Sequence, residues 1–162
     1  MKKGKGEKYS YKNILKNSAA DIHAARALNN VEACIYFSQL LITPIQYAYV
    51  IDNSLSKIIA KKGFYECLGY HDEDIDIDNI HDIICHEDRD KMYQIIKDAY
   101  EYGFSLSGIN PFDIHFSVDY RVVKKDGSVI RVNRHSSALE VDKEGRMKST
   151  LSLCTNITHL KQ

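Results

Sequence analysis

The sequence predicts an α+β protein with an antiparallel sheet, and three observations support this class. From Phe112 to Val122 apolar and polar residues alternate strictly, which is the period of a β-strand with one face in solvent. Asp126-Gly127 follows shortly afterwards and is a strong signal for a hairpin turn. The clearest helical pattern, residues 87–102, precedes these strands, and helices segregated from consecutive strands are typical of the α+β class.

Length and composition place the chain among ordinary globular proteins. Its 162 residues suit one domain, and the apolar (44%) and charged (27%) fractions are close to the globular average. The 22 basic and 22 acidic residues cancel, so no overall positive field is present to hold nucleic acid or an anionic membrane. No apolar run approaches the roughly 20 residues that cross a bilayer, and the N-terminus lacks the apolar stretch of a secretory signal. We therefore expect a cytoplasmic protein that binds neither nucleic acid nor membranes directly.

The N-terminal part divides into two segments. Residues 1–17, which are rich in lysine and asparagine, are predicted to form a mobile basic leader. Residues 18–42 carry apolar side chains at three- and four-residue spacing, as in an amphipathic helix, and Pro44 marks the end of that helix. The apolar stripe has to be buried on the sheet of the same chain or on a second copy, and the pattern does not decide between them. For a homodimer, the predicted interface contains Leu28, Val31 and Ile35.

Five segments have the composition or the alternation of strands. They are residues 45–51, 55–61, 112–122, 128–141 and 146–157. In the fourth segment the apolar phase shifts between Val132 and Leu139, which indicates a bulge. In the last segment four apolar residues share one phase: Met147, Leu151, Leu153 and Ile157.

The middle of the chain is predicted to be helical. A short helix ends at Gly69, and the isoleucines of residues 71–90 form the apolar face of several short turns. The longer helix over residues 87–102 is predicted to be capped by Gly103.

Two blocks of this sequence resemble PAS domains. In the first, the helix end Gly69-Tyr70, an acidic turn and the helix start His86-Glu87-Asp88-Arg89 occur in the order found in the middle of that family. The second block is similar to the C-terminal motif of the family, which has a Tyr-Arg strand, two hairpins and a closing Asp-Ile-Thr. Its elements here are Tyr120-Arg121, Lys125-Asp126-Gly127, Glu144-Gly145 and Asn156-Ile157-Thr158, with asparagine in place of the usual aspartate. The resemblance covers residues 45–160.

The resemblance implies a five-stranded antiparallel sheet with helices over one face, formed by residues 43–162 and preceded by the N-terminal helix. It also implies a bacterial sensor or relay domain that binds a small molecule, dimerises, or does both, and so controls an output domain. That output would follow the closing motif, beyond Gln162, and we expect it to be missing from this chain. The ending is similar to that of PAS transcription regulators with a LuxR-type DNA-binding domain, although kinases and cyclases share this junction.

A PAS-like fold implies a cavity between sheet and helices. Polar side chains on an otherwise apolar sheet face are the candidate ligand contacts, and we select Tyr49, Tyr120, Arg134 and Cys154. Because of the bulge, the sequence leaves open whether each of them points inward, and ordinary packing is the alternative for each. A ligand-free dimerisation module and a haem-binding sensor are the alternative functions.

No cofactor, metal or catalytic site is predicted. The flavin adduct of light-sensing PAS domains needs a cysteine in an Asn-Cys-Arg-type motif, which residues 71–84 lack, and residues 87–102 contain no histidine for haem. Asp72, Asp74 and Asp76 have the spacing of a calcium loop without its glycine and final glutamate, and His81 with Cys85 lacks a second ligand pair for zinc. The chain also has no nucleophile elbow and no phosphate-binding loop, so we expect a non-enzymatic protein.

Overall fold

A five-stranded antiparallel sheet forms the centre of the protein. The structure is a computed structural model that describes residues 11–18, 35, 37–105 and 110–160. The strands lie in the order β2-β1-β5-β4-β3. Their bounds are β1 Gln46–Asp52, β2 Lys57–Lys62, β3 His115–Val123, β4 Val129–Val141 and β5 Met147–Asn156. The predicted five-stranded antiparallel sheet is therefore confirmed.

Helices cover one face of this sheet. The α-helices are α1 Tyr11–Ser18, α2 Phe64–Leu68 and α3 His86–Ser105, and short 3-10 turns lie at Asp72–Asp74, Pro111–Asp113 and Thr158–Leu160. The main hydrophobic core lies between the helices and the inner face of the sheet, where the side chains of Tyr47, Tyr49 and Ile51 of β1 are buried. Within the described ranges, no helix is long and apolar enough to cross a membrane.

Two glycines in the left-handed region define α2. Gly63 precedes the helix with φ of 80°, and Gly69 ends it with φ of 81°, as the sequence predicts for Gly69. Gly63 also lies against the backbone of β1, because a Cβ atom there would come within 2.4 Å of the Gln46 carbonyl oxygen. Only glycine meets both requirements, so the connection from β2 to α2 depends on it.

The acidic segment between α2 and α3 packs by its isoleucines, as predicted. Five of them are buried while the aspartates between them face outward: Ile75, Ile77, Ile80, Ile83 and Ile84. The Asp76 carboxylate accepts hydrogen bonds from the backbone N–H groups of Asp78 and Asn79, at 2.8 and 3.0 Å. The acidic residues thus serve as turn formers in this segment.

Two of the predictions for helices need correction. Residues 11–17, which belong to the predicted mobile leader, form most of α1, and Tyr11 and Ile14 are fully buried against the core. These two side chains are three residues apart and share one helix face, a signal that the many lysines conceal. Gly103 does not cap α3, which continues to Ser105. Instead Gly103 lies at a close approach between α3 and β5, where an added Cβ would meet the Met147 methyl carbon at 2.7 Å.

The β4–β5 pair is irregular near the end of β4, at the C-terminal limit of the segment where the sequence predicts a bulge, and this irregularity changes the phase of β5. The register of the β4–β5 pair shifts on both sides of Glu140. Beyond this irregularity Leu151 and Leu153 face outward, where they pack with a small second cluster around Val50. Because Ser152 and Cys154 take the inner positions, the single apolar phase predicted for Met147, Leu151, Leu153 and Ile157 is wrong.

The predicted N-terminal helix of residues 18–42 falls mostly outside the described residues, as do Leu28 and Val31. Residues 37–39 are helical, and Phe37 is buried in the second cluster on the outer face of the sheet. Ile35 is 49% exposed. The prediction of a dimer interface through these residues stays a prediction.

Candidate functional site

A buried arginine lies at the centre of the polar part of the core. Arg134 of β4 is only 1% exposed, and it shares the inner face of the sheet with Val132 and Ser136 because strand residues alternate. Its Nε donates to the hydroxyls of Ser136, at 3.0 Å, and Ser152, at 3.2 Å. Its Nη1 donates to the hydroxyl of Tyr11, so the side chain also ties α1 to the sheet.

Aromatic rings flank the Arg134 guanidinium. Its central carbon lies 5.4 Å from the ring centroid of Tyr11 and 5.5 Å from that of Tyr49, which is within the range of a cation–π contact. Burial raises the pKa of Tyr49 and of Tyr120 well above the usual value, so both phenols are neutral. Arg134 is charged at any physiological pH, and none of these neighbours neutralises it.

Arg134 has no acidic partner among the described residues. The ion pairs in those ranges join other residues, and none includes Arg134. A charge in a protein interior is costly to desolvate unless an opposite charge and hydrogen bonds compensate it. A buried, unneutralised cation therefore marks a place where an anion would be stabilised.

A cavity of about 40 Å³ lies beside Arg134, between α3 and the sheet. Its polar end is formed by Arg134, Ser136 and Thr150 of the sheet and by Tyr100 of α3. The rest of the wall is largely apolar and includes Ile96, Ala99, Ile114, Phe116, Ala138 and Met147. A polar end on an apolar wall is the usual composition of a small-molecule site.

One polar group at this cavity lacks a hydrogen-bond partner among the described residues. The Tyr100 hydroxyl is buried without a partner, and burial raises its pKa to about 12, so it remains a neutral donor. Thr150 and the Arg134 guanidinium lie close enough to this hydroxyl to oppose that rise in pKa, while Arg134 makes its own hydrogen bonds through Nε and Nη1. Unpaired buried donors are rare in native proteins and need a reason.

His81 is a third buried polar side chain in this part of the core. Its ring lies 4.3 Å from that of Tyr11, centroid to centroid, and both ring nitrogens lack a hydrogen-bond partner among the described residues. Burial, with the nearby charges of Arg134 and Arg89, lowers the pKa of His81 to about 3. The ring is therefore neutral at physiological pH.

The four predicted ligand contacts all lie on the inner face of the sheet. Arg134 alone of the four borders the cavity, while Tyr49 contacts its guanidinium. Tyr120 and Cys154 lie next to one another, with Oη and Sγ 4.0 Å apart, and away from the cavity wall. Whether any of the four binds a ligand stays a prediction.

Sequence reasoning missed several residues of this cluster. Ser136 shares the strand phase of Arg134, and that signal could have found it. Tyr11 is 123 residues away in the chain, and neither it nor Tyr100 carries a local pattern that separates it from core packing. For His81, the sequence indicates only an incomplete zinc pair with Cys85.

The two blocks that resemble PAS domains meet in a bidentate ion pair. Asp88, from the first block, accepts hydrogen bonds from Nη2 and Nε of Arg121 at 2.6 and 3.0 Å, and from the Arg121 backbone N–H at 2.9 Å. Its hydrogen bonds with Arg121 lower the pKa of the Asp88 carboxyl. This pair fixes the first turn of α3 to β3 and so holds one wall of the cavity in place.

An antiparallel sheet with helices on one face, and a cavity with a polar end between them, defines a small α+β domain. A family model described as "PAS fold" matches residues 57–153, which is more than half of the chain. The chain therefore belongs to the PAS fold family. Domains of this family are in general sensory and non-catalytic.

Solved structures with the same fold come from several signalling proteins. The N-terminal domain of a diguanylate cyclase with a PAS/PAC sensor from Marinobacter aquaeolei has a TM-score of 0.59 and 11% identity, over 72% of this chain and 99% of that one. A PAS domain from Colwellia psychrerythraea has a TM-score of 0.55 and 16% identity, over 80% and 97%. A light-oxygen-voltage domain studied with a flavin analogue has a TM-score of 0.58 and 18% identity, over 83% and 89%. At these identities the likeness shows the fold alone, and no curated protein matches the chain.

Proposed function

We propose that this PAS domain is a receptor for a small molecule that binds in the cavity beside Arg134. One observation carries this proposal: a fully buried arginine, without an acidic partner among the described residues, borders a cavity with a largely apolar wall. A ligand that enters this space would supply hydrogen bonds to donors that now lack them, and this compensation would favour binding.

The size of the cavity restricts the ligand. Pockets for drug-sized ligands and cofactors measure roughly 300–1,000 Å³, whereas this cavity measures about 40 Å³. We therefore favour a smaller ligand over haem, the alternative that the sequence left open, and over flavin. A small metabolite of few atoms is the appropriate class.

The signal would leave the cavity through α1. Tyr11 connects α1 to Arg134, so a ligand that changes the hydrogen bonds of Arg134 also acts on this helix. We propose that residues 18–42 continue this route to a dimer interface with Leu28, Val31 and Ile35, and that the dimer controls the output of a bacterial signalling protein, with a transcription regulator as our first choice.

The proposal is tested by recording ¹H–¹⁵N correlation spectra against a library of small metabolites. We expect at least one compound to shift the signals of Ala99, Ser137 and Ala138, which border the cavity. The Ala99→Leu variant fills the cavity and should abolish those shifts. The matched control Lys91→Leu places the same side chain on an exposed position of the same helix and should retain them. The proposal is wrong if no compound acts on these signals, or if Ala99→Leu responds like the control.

A ligand-free dimerisation module is the second candidate. It is favoured by the hydrogen bond between Tyr11 and Arg134, which already satisfies part of the guanidinium, and by the exposure of Ile35. Multi-angle light scattering on Ile35→Glu and Val31→Glu variants tests the interface: a dimer in the parent chain and monomers in both variants would support it. A parent monomer, or variants that remain dimeric, would exclude it.

A further inference from the structure

We infer that the ligand of the cavity is a short-chain monocarboxylate, whose carboxylate binds Arg134 and whose alkyl chain lies on the apolar wall. This inference rests on the proposed function and specifies its ligand. It follows from the charge, the hydrogen-bond donors and the size of the site.

The charge of the site favours a ligand with one negative charge. Among the described residues that border the cavity, Arg134 alone is charged, and no carboxylate of the described ranges pairs with it. A monoanion would neutralise the site, whereas a dianion would bring a second charge into the interior without a partner. Arg89, the other cation that acts on His81, donates instead to the carbonyl oxygens of Asp82 and Ile84 at 2.9 and 3.0 Å.

The free donors match the two oxygens of a carboxylate. The hydroxyl of Tyr100 has no hydrogen-bond partner among the described residues, and Nη2 takes no part in the hydrogen bonds that Arg134 makes to Ser136, Ser152 and Tyr11. Both side chains border the cavity. Nε is held by Ser136 and Ser152, so a fork-like contact has to use Nη1 together with Nη2. Nη1 now donates to Tyr11. Because Nη1 carries two N–H groups and uses one for Tyr11, a carboxylate bound to Nη1 and Nη2 would lie directly beside the Tyr11 hydroxyl.

The space and the apolar wall match a short alkyl chain. One water molecule needs roughly 10–15 Å³ of such space, so the cavity of about 40 Å³ holds about three water-sized groups. This space suits an alkyl chain of about two or three carbon atoms, with the carboxylate at the polar end. Ile96, Phe116 and Met147 would contact that chain.

The test titrates the full chain with sodium propionate at constant ionic strength and pH 7, with propionamide, nitrate and succinate in parallel. The readouts are the Met147 methyl signal and the melting temperature. We expect saturable shifts with propionate and at least tenfold weaker binding of propionamide, because its amide lacks the charge that Arg134 requires. Nitrate lacks the chain and succinate carries a second charge, so both should bind at least fivefold more weakly than propionate.

Variants connect the response to the site. Arg134→Met removes the charge at similar length, and such replacements of buried charges are often neutral or stabilising, so the protein should fold and lose the propionate response. Arg131→Met removes a charge from the same strand outside the cavity and should respond like the parent. If Arg134→Met does not fold, Tyr100→Phe tests the same site. It removes one proposed donor and should weaken propionate binding several-fold.

The outcomes separate this inference from the proposed function. If propionamide or nitrate binds as well as propionate, or if Arg134→Met or Tyr100→Phe responds like the parent, the cavity is a receptor for something other than a carboxylate and the inference is wrong. If neither these compounds nor any member of the metabolite library acts on the cavity signals, both the inference and the proposed function are wrong.

Discussion

The two ends of the core differ in how completely their side chains are packed and hydrogen-bonded. At the α2 end, defined by Tyr47, Gly63, Phe64 and Leu68, the side chains are buried, and the Tyr47 and Phe64 rings pack 4.8 Å apart. At the Arg134 end, defined by Tyr11, His81, Tyr100, Arg134 and the cavity, buried polar groups lack partners. The close packing at the α2 end stabilises the fold. The unpaired polar groups at the Arg134 end lower its stability, as is expected where a protein binds a ligand. Four substitutions test this difference between the two ends.

The largest effect is expected at the α2 end, for Gly63→Ala. The new Cβ would lie 2.4 Å from a backbone oxygen in a residue with positive φ, so the connection between β2 and α2 has to move. We expect the free energy of unfolding to fall by roughly 3 kcal/mol or more. Urea denaturation followed by circular dichroism measures it. A variant within about 0.5 kcal/mol of the parent would show that this end is not tightly packed.

The second effect is the loss of stability in acid that His81 causes. Its pKa is about 3 in the folded protein against 6.5 as the ordinary value, so below pH 6.5 the unfolded chain binds a proton that the folded chain excludes. Stability should fall by about 1.4 kcal/mol for each pH unit between 6.5 and the folded-state pKa. Urea curves at pH 7.5, 5.5 and 4.5 measure this slope.

His81→Leu isolates the contribution of His81 from that of the carboxylates. The variant should lose this part of the slope and be more stable than the parent at pH 4.5. His159→Gln, at an exposed position, is the control and should keep the parent slope. Equal slopes for His81→Leu and the parent would show that His81 is protonated in the folded protein.

The third effect concerns Tyr11→Phe, which removes the hydroxyl that accepts from Arg134. Because Nη1 then lacks a partner, we expect a loss of about 1.5 kcal/mol of stability. Saturating propionate should restore most of it, and should bind the variant more tightly than the parent. Differential scanning fluorimetry with and without propionate measures both, with the exposed Tyr65→Phe as control. An unchanged melting temperature would contradict the contact between α1 and Arg134.

The smallest effect is expected at the Arg134 end, for Gly103→Ala. The new Cβ meets only the flexible methyl end of Met147, at 2.7 Å, and the cavity gives that methyl room to move. Replacing glycine by alanine inside a helix should then raise stability by roughly 0.5–1 kcal/mol. The same substitution thus has opposite signs at the two ends. A loss above about 1 kcal/mol, measured by urea denaturation, would show that the Arg134 end is packed as tightly as the α2 end.

Local patterns were sufficient for most of the fold. The alternation in β3, the hairpin at Asp126-Gly127 and the end of α2 at Gly69 depend on neighbouring residues, and the sequence predicts them. Gly103 was misread because a glycine near a helix end looks like a cap, whereas its role is set by Met147 on a distant strand.

Less of the candidate site than of the fold could be predicted from the sequence. Arg134 could be selected as a polar side chain on an otherwise apolar sheet face, although the sequence left open whether it points inward. The groups that make it a site come from the whole chain: Tyr11 from α1, Tyr100 from α3 and Ser152 from β5. The cavity itself is a result of packing, which no local pattern encodes.

The most direct measurement for the central claim is the nuclear Overhauser effect between bound propionate and the protein. With ¹³C-labelled methionine and isoleucine methyl groups, we expect cross-peaks from the propionate methyl to Met147 and Ile96, and their loss in Arg134→Met. Cross-peaks to neither residue at saturating propionate, or cross-peaks that survive in Arg134→Met, would contradict a carboxylate receptor centred on Arg134.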